Sequence, residues 1–394
     1  YYKREKLVST GHGFCGIGRK NLLNILQKRC RDLGVKLIFE KEIESAKPFM
    51  ENSDLVVASD GLNSKIRTEF SQIFKPNIDI RSCQFVWLGT RQKFDDAFTF
   101  IFENTKKGWI WAHAYQFDND MATFIIETDQ STWDNYGFGE MSQKESILTC
   151  EEIFKDHLGG HSLMSNSYHI RGSAWIRFPR VLCEKWSHKN LCLMGDSAAS
   201  AHFSIGSGTK LAIESAISLS NLIYNEKSIE EAFSEYEEVR RLEVLRLQSA
   251  ARNSLEWFED LRRYLHLNPI QFNYSLLTRS QRISHENLRL RDSKWLLKAE
   301  KWFQFNAGGG SKPIRPPMFA PFKLRDMKLN NRIVVSPMAQ YKAENGSPTD
   351  WHLVHYGERA KGGAGLVFVE MTCVSSEGRI TPLKESFKRP LKSL

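Results

Sequence analysis

The sequence predicts an α/β protein with a parallel sheet, an inserted antiparallel sheet and a second α/β segment near its C-terminal end. Short apolar runs at Leu55–Ala58 and Leu191–Met194 have the length of buried parallel strands, and helical patterns follow both. Between them, residues 80–130 contain aromatic and β-branched runs separated by polar turns, which is typical of an antiparallel sheet. A third pattern of strand, helix and strand follows residue 318.

The first α/β segment covers residues 9–70. Apolar residues recur at helical spacing over Arg19–Leu33, and Gly34 is placed to end that helix. Lys36–Phe39 is a strand candidate, and Leu55–Ala58 is a buried one. Gly11–Gly16 fits the dinucleotide-binding pattern Gly-x-Gly-x-x-Gly, but the charged residues before it lack the strand that this motif requires. We therefore do not assign a phosphate-binding loop there.

Two acidic motifs follow the predicted parallel strands. Asp60-Gly61 comes after Leu55–Ala58, with Ser64 and Arg67 at helical spacing behind it. Gly195 and Asp196 come after the second strand, at the end where open α/β sheets bind ligands. A small-residue turn then opens a helix, whose N-terminus favours negative charge or an electron-rich carbonyl; this turn comprises Gly206, Ser207, Gly208 and Thr209. On local pattern alone, either motif could also be an ordinary strand-to-helix turn.

The remainder of the chain is helical and then α/β again. Glu230–His266 has a strong helical pattern, and further helical sequence continues to about Phe305. A Gly- and Pro-rich linker at 306–317 precedes a new domain from 318. That domain opens with a strand ending at Pro337-Met338, followed by a helix at Trp351–Lys361 and a strand at 365–371.

Composition narrows the functional classes. The chain has 394 residues and a net charge of +9, but its basic residues are interleaved with acidic ones and accompany no nucleic-acid motif. The charge suits an anionic small molecule such as a nucleotide or acyl-CoA. Seven scattered cysteines without a Cys-x-x-Cys pair argue against a disulfide framework and a zinc site. No apolar run reaches the length of a membrane span, so we expect a cytoplasmic protein; a homo-oligomer stays open.

Both acidic motifs resemble hallmarks of the FAD-dependent aromatic hydroxylases, the group A flavoprotein monooxygenases. The resemblance implies that Asp196 holds the ribityl chain and that residues 206–209 face the isoalloxazine. It also implies that Asp60 and Gly61 belong to the FAD pyrophosphate and NAD(P)H region, and that Arg19 contacts the flavin. Ala199 and the loop at 203–205 stand where most of the family has His and Pro.

The C-terminal segment resembles the opening of the old yellow enzyme family, which are FMN-binding (β/α)8 barrels. In that family the backbone after the first strand touches the flavin, and this backbone corresponds here to Pro337, Met338 and Ala339. Tyr341 is a candidate for the substrate pocket or, equally, a packing aromatic in a βα loop. The family's central His pair, proton-donor Tyr and phosphate-binding Arg have no counterpart in this chain.

The two resemblances together match the anthraniloyl-CoA monooxygenase and salicylyl-CoA 5-hydroxylase family. They imply a monooxygenase domain over 1–305, lacking its N-terminal dinucleotide fingerprint and containing a substrate-binding sheet region at 80–180. The first two βα units of a truncated barrel would follow at 318–394. The implied reaction is NAD(P)H- and O2-dependent hydroxylation of an aromatic acyl-CoA by a flavin hydroperoxide, coupled to FMN-dependent ring reduction in the full-length parent.

Three alternatives stay open. The chain could be a single-function FAD hydroxylase of an indole or phenol, an inactive flavoprotein fragment that acts only as a binding module, or an ene-reductase alone. No side chain is assigned as a catalytic acid or base.

Overall fold

The computed structural model describes residues 1–95, 97–165, 174–225, 228–310 and 313–379. The chain divides into two compact units, residues 1–287 and 288–394. The predicted linker at 306–317 therefore falls inside the second unit, where Phe305–Gly309 form a π-helical turn. The basic tail at 383–394 lies outside the described residues.

The first unit contains most of the helices and strands. Its helices are α1 (Arg19–Asp32), α2 (Lys47–Asn52), α3 (Lys65–Glu69), α4 (Ser71–Phe74), α5 (Gln130–Tyr136), α6 (Gln143–Leu158), α7 (Gly208–Asn225), α8 (Ile229–Glu259) and α9 (Pro269–Thr278), and α10 (His285–Arg291) contains the boundary. Its strands are β1 (Val56–Ala58), β2 (Pro76–Thr90), β3 (Thr99–Thr105), β4 (Gly108–Gln116), β5 (Ala122–Thr128), β6 (Leu163–Met164), β7 (Ile176–Cys183), β8 (Ser187–His188) and β9 (Leu191–Leu193).

The parallel sheet joins the two predicted apolar strands. β1 and β9 pair in parallel with Val56 opposite Leu191, and β8 adds an antiparallel edge. All three residues of β9 are buried, and Phe74, Trp186 and Tyr236 pack in the same core. The prediction of two parallel strands followed by acidic motifs is therefore confirmed, but only β9 is fully buried, because Val57 of β1 is 38% exposed.

The expected strand at Lys36–Phe39 is wrong. The segment pairs with no described strand, and Ile38 and Phe39 are 62% and 56% exposed. β-propensity cannot produce a strand without a neighbour to complete its ladder. The preceding helix α1 forms as predicted and is followed by Gly34 at φ +76°, whose N–H bonds to the Arg31 carbonyl.

The antiparallel sheet predicted for 80–130 is confirmed. Its strand order is β3-β4-β5-β2-β6, and β7 also pairs with β2. β2 is 15 residues long, its pairing with β7 shifts register between Ile80 and Gln84, and its residues 84–90 also pair with β5. One face packs Phe124 and Ile126 against Phe154 of α6, while the other carries aromatic side chains against α8 and α9.

The second unit contains the predicted βαβ segment. Its elements are α11 (Ser293–Gln304), β10 (Phe322–Leu324), β11 (Met327–Leu329), β12 (Val334–Val335), α12 (Asp350–Lys361) and β13 (Leu366–Val367). β12 and β13 pair in parallel on either side of α12. Each of these two strands is shorter than the apolar run around it, and each has one neighbour among the described strands. Within the described ranges, no helix is long and apolar enough to cross a membrane.

Candidate functional site

The two acidic motifs meet because β1 and β9 lie side by side and end at the same edge. Asp60 follows β1, and its Oδ2 accepts a hydrogen bond from the Ile66 backbone N–H of α3 at 3.2 Å. Asp196 follows β9 inside a 3-10 turn that Gly195 enters at φ +65°. No described residue donates a hydrogen bond to the Asp196 carboxylate. That side chain is exposed, yet nearby protein removes enough of its hydration to raise its pKa.

Arg67 fastens these two loops together. It is 4% exposed, and its guanidinium donates to the carbonyls of Leu62 at 2.6 Å and Ser197 at 3.0 Å, with Asp196 O at 3.4 Å. Burial lowers the pKa of Arg67. Ser64 caps α3 by accepting from the Arg67 backbone N–H at 2.9 Å. The Asp-Gly-x-x-Ser-x-x-Arg motif therefore builds the loop, with its arginine bound to backbone oxygens.

The small-residue turn at 206–209, the glycine turn, leaves open space at the N-terminus of α7. Gly206 has φ +63°, and a Cβ added at Gly206 or Gly208 would meet no atom within 4 Å. The hydroxyls of Ser204 and Ser207 are buried and have no hydrogen-bond partner among the described residues. A buried unpaired hydroxyl costs about 1–3 kcal/mol. The two serines and the open N-terminus of α7 therefore fit a polar ligand.

Arg19 stands apart from this cluster. It is exposed on the first turn of α1, and it makes no hydrogen bond or ion pair with the other predicted site residues that the structure describes. The Gly11–Gly16 loop lacks a preceding strand, as its sequence suggested. A Cβ at Gly16 would lie 2.7 Å from the Gln116 carbonyl oxygen, and Phe14 packs edge-on against Tyr115 with 5.1 Å between ring centroids. Gly16 therefore serves close packing, whereas Gly13 has φ +48° and open space around it.

An aromatic wall stands beside the glycine turn. Phe203, one residue before Ser204, packs on Phe85 at 4.7 Å and on Trp87 at 6.0 Å between ring centroids. Trp87 is 43% exposed, so part of this wall is open. The wall provides apolar surface for a flat ring next to the open turn.

The sequence did not identify a buried charged group within this aromatic region. His113 on β4 and Glu127 on β5 are 0% and 1% exposed, with His113 Nε2 at 3.1 Å from Glu127 Oε2. Trp111 Nε1 donates to the same carboxylate oxygen at 2.9 Å. Period-two alternation places residues 111, 113 and 115 on one face of β4, and this alternation is the sequence signal from which His113 could have been identified. The pairing with Glu127 depends on register, which the sequence pattern did not fix.

Arg279, the C-cap residue of α9, was also not identified from the sequence. Its guanidinium donates to the Ser204 carbonyl at 2.8 Å, the Ser254 hydroxyl at 2.9 Å and the Leu276 carbonyl at 2.7 Å. It also lies 4.8 Å from the centroid of the Phe100 ring. Burial lowers the pKa of Arg279 to about 10. This arginine holds the backbone just before the glycine turn against α8 and the sheet.

The loop after β12 forms a separate cluster in the second unit. Pro337, Met338 and Ala339 lead into Gln340, whose backbone N–H donates to the Glu370 carboxylate beyond β13. Glu370 is 5% exposed, and its Oε1 lies 3.0 Å from His352 Nε2. Tyr341 is 53% exposed at φ +55°. The structure thus joins the carboxyl ends of β12 and β13, as expected for βα loops.

Known proteins are similar to this chain over most of its length. Salicyloyl-CoA 5-hydroxylase from a Streptomyces species is 35% identical over 343 residues, which are 84% of this chain and 63% of that protein. Protodeoxyviolaceinate monooxygenase from Chromobacterium violaceum is 32% identical over 274 residues, which are 69% of this chain and 72% of that protein. The sequence model of the NADH:flavin oxidoreductase / NADH oxidase family matches residues 317–387.

Among solved structures, PqsL, a probable FAD-dependent monooxygenase from Pseudomonas aeruginosa, superposes with a TM-score of 0.39 and 18% identity, covering 54% of this chain and 58% of that one. The present chain spans less than two thirds of the length of salicyloyl-CoA 5-hydroxylase. Its match to protodeoxyviolaceinate monooxygenase covers more than two thirds of that relative. The chain therefore belongs to the FAD-dependent aromatic monooxygenases, a family of flavoprotein oxidoreductases.

Proposed function

We propose that this protein hydroxylates an activated aromatic ring carried as a CoA thioester, salicyloyl-CoA or anthraniloyl-CoA, with FAD, NAD(P)H and O2. One observation supports this most directly: the acidic loop at Gly195 packs against Ala212 near the start of α7, and the segment that leads into this helix carries the buried hydroxyls of Ser204 and Ser207, which have no partner among the described residues. The similarity to salicyloyl-CoA 5-hydroxylase supports the thioester substrate.

The residues at the first unit's sheet edge fit FAD. Asp196, whose carboxylate receives no hydrogen bond from the described protein, would accept from a ribityl hydroxyl. The open N-terminus of α7 and the Ser207 hydroxyl would bind the polar edge of the flavin ring, where the absence of a Cβ at Gly206 and Gly208 leaves space. Asp60 and Gly61 would lie toward the pyrophosphate, and Arg19 would contact the flavin. When bound, FAD supplies the activation of O2 by electrons from NAD(P)H.

The protein's own contribution is orientation and exclusion of water. The wall of Phe85, Trp87 and Phe203 would hold a flat aromatic ring next to the glycine turn. Arg279 fixes the Ser204 carbonyl by a hydrogen bond of 2.8 Å and so keeps the turn at a constant position relative to the wall.

Product formation tests this proposal. The FAD-reconstituted protein, given NADH or NADPH, should convert salicyloyl-CoA or anthraniloyl-CoA to a hydroxylated thioester detected by mass spectrometry. Asp196→Asn should lose at least tenfold in FAD affinity and in product at limiting FAD. The matched control is Asp156→Asn, an exposed aspartate on α6 that should change neither. FAD-loaded protein that forms no product from either thioester would refute the proposal.

A second flavin site is favoured by the family match over residues 317–387. Pro337, Met338 and Ala339 would contact FMN after β12, with Tyr341 at the substrate side. The proposed role is FMN-dependent reduction of the hydroxylated ring, coupled to the first reaction. Flavin extraction from purified protein tests it: FMN retained by wild type and lost on Ala339→Trp supports this site. Retention of FAD alone would favour a single-function hydroxylase.

A further inference from the structure

His113 and Glu127 form a buried pair in the antiparallel sheet. Both side chains are enclosed, and their shared hydrogen bond of 3.1 Å joins neighbouring strands of the antiparallel sheet. The Glu127 carboxylate also accepts from Trp111 Nε1, which is only ever a donor. The contact with Glu127 uses His113 Nε2, whereas the other ring nitrogen of His113, Nδ1, takes no part in it.

The protonation state of the pair follows from its surroundings. Burial is the main reason that the pKa of His113 falls below its usual range, so the imidazole is neutral. Burial alone raises the pKa of Glu127, but hydrogen bonds from His113 and Trp111 bring it below its ordinary value, so the carboxylate is ionised. A neutral imidazole beside an ionised carboxylate carries its proton on Nε2. Nδ1 is then an acceptor.

This acceptor has no hydrogen-bond partner among the described residues. The rings around it belong to Phe258 at 4.8 Å, Phe100 at 5.1 Å and Phe203 at 5.7 Å between centroids, and none of them can donate. Other charged or titratable groups that act on the pair are Arg279 and His202. Leaving a buried acceptor unpaired costs about 1–3 kcal/mol, which a bound ligand would recover.

We infer that His113 Nδ1 accepts the hydrogen of the ring hydroxyl or amino group of the aromatic substrate, and that Glu127 positions the imidazole for this contact. The inference rests on the proposed hydroxylation and adds the residue that recognises the activating substituent. Phe203 connects His113 to the glycine turn, because its ring packs on His113 and its neighbour Ser204 lies two residues before that turn.

For a phenolic substrate the contact can become a proton transfer. The O–H bond breaks, its electron pair stays on the oxygen, and the proton forms an N–H bond at Nδ1. The resulting imidazolium is stabilised by the Glu127 carboxylate 3.1 Å from Nε2. The ring, now a phenolate, is richer in electrons and therefore more readily attacked by an electrophilic oxygen.

Ligand selectivity tests the inference without relying on turnover. In FAD-reconstituted protein we expect calorimetry to show that wild type binds salicyloyl-CoA about tenfold more tightly than benzoyl-CoA, which lacks the ring hydroxyl. His113→Phe should reduce this ratio to about twofold while leaving benzoyl-CoA affinity unchanged. Glu127→Gln should lower the affinity ratio to a value between those of wild type and His113→Phe. The matched control, His157→Gln, breaks a similar His–Glu pair of 2.8 Å with Glu103 and should keep the wild-type ratio.

A labelled imidazole gives a second readout that needs no variant to fold. The 15N resonance of His113 Nδ1 should show an unprotonated nitrogen in free protein and should shift on addition of salicyloyl-CoA but not of benzoyl-CoA. An unchanged resonance, or a tenfold preference retained by His113→Phe, would overturn the inference. Selectivity that depends on His113 without any hydroxylated product would instead refute the proposed reaction and retain the binding role.

Discussion

Replacing Arg67 by Met should destabilise the first unit by about 3 kcal/mol. The guanidinium makes two well-formed hydrogen bonds, to Leu62 O at 2.6 Å and Ser197 O at 3.0 Å. Bonds from a charged donor contribute about 1.5–3 kcal/mol each, or about 3–6 kcal/mol together. We expect the lower end of this range, because replacing Arg67 by methionine also removes the desolvation cost of a charged side chain that is 4% exposed.

Urea unfolding followed by tryptophan fluorescence measures this change. Arg246→Met is the matched control, because Arg246 is an exposed helix arginine paired with Glu243 and its loss should cost less than about 0.5 kcal/mol. The same Arg67→Met variant should bind FAD at least tenfold more weakly, since the Asp60 and Asp196 loops are no longer tied together. A loss below about 1 kcal/mol with unchanged FAD affinity would refute the role of Arg67 as the link between the loops.

Three further predictions concern the same unit. Gly208→Val should leave the melting temperature nearly unchanged but raise the FAD dissociation constant at least tenfold, because its side chain fills open space at the start of α7. Burial lowers the pKa of His202 from 6.5 to about 4. The contribution of His202 to the free energy of unfolding is therefore complete above pH 6.5 and falls by about 3 kcal/mol toward pH 4, as the unfolded chain takes up a proton. Urea unfolding at several pH values should show that His202→Asn removes this pH-dependent loss. Phe154→Ala, at a fully buried position, should cost about 3–5 kcal/mol in the same assay, and a cost below about 1 kcal/mol would contradict the packing of α6 on the sheet.

The sequence predicted those elements whose signal is local. β1 and β9 are short apolar runs, and Asp60 and Asp196 follow them. The residues after each aspartate specify a tight turn and the start of a helix. The aromatic alternation of residues 80–130 likewise predicted the antiparallel sheet. By contrast, Ile38 and Phe39 have the composition of a strand but find no partner in the described structure, and no local pattern reveals a missing neighbour.

The site residues that sequence reasoning missed depend on long-range geometry. His113 and Glu127 approach each other because β4 and β5 pair with Trp111 opposite Glu127, a register set by the turn between the strands and by burial. Arg279 reaches Ser204 across 75 residues of sequence. Arg67 was identified from its helical spacing, but its burial and its bonds to backbone carbonyls follow only from the meeting of two loops.

FAD titration of the purified wild-type chain tests the central claim most directly. If the joined loops and the N-terminus of α7 form the flavin site, FAD fluorescence should change saturably at one FAD per first unit, and Asp196→Asn should abolish most of that change while Asp156→Asn retains it. Unchanged FAD fluorescence in the wild-type protein, or saturable binding that is insensitive to Asp196→Asn, would contradict the claim.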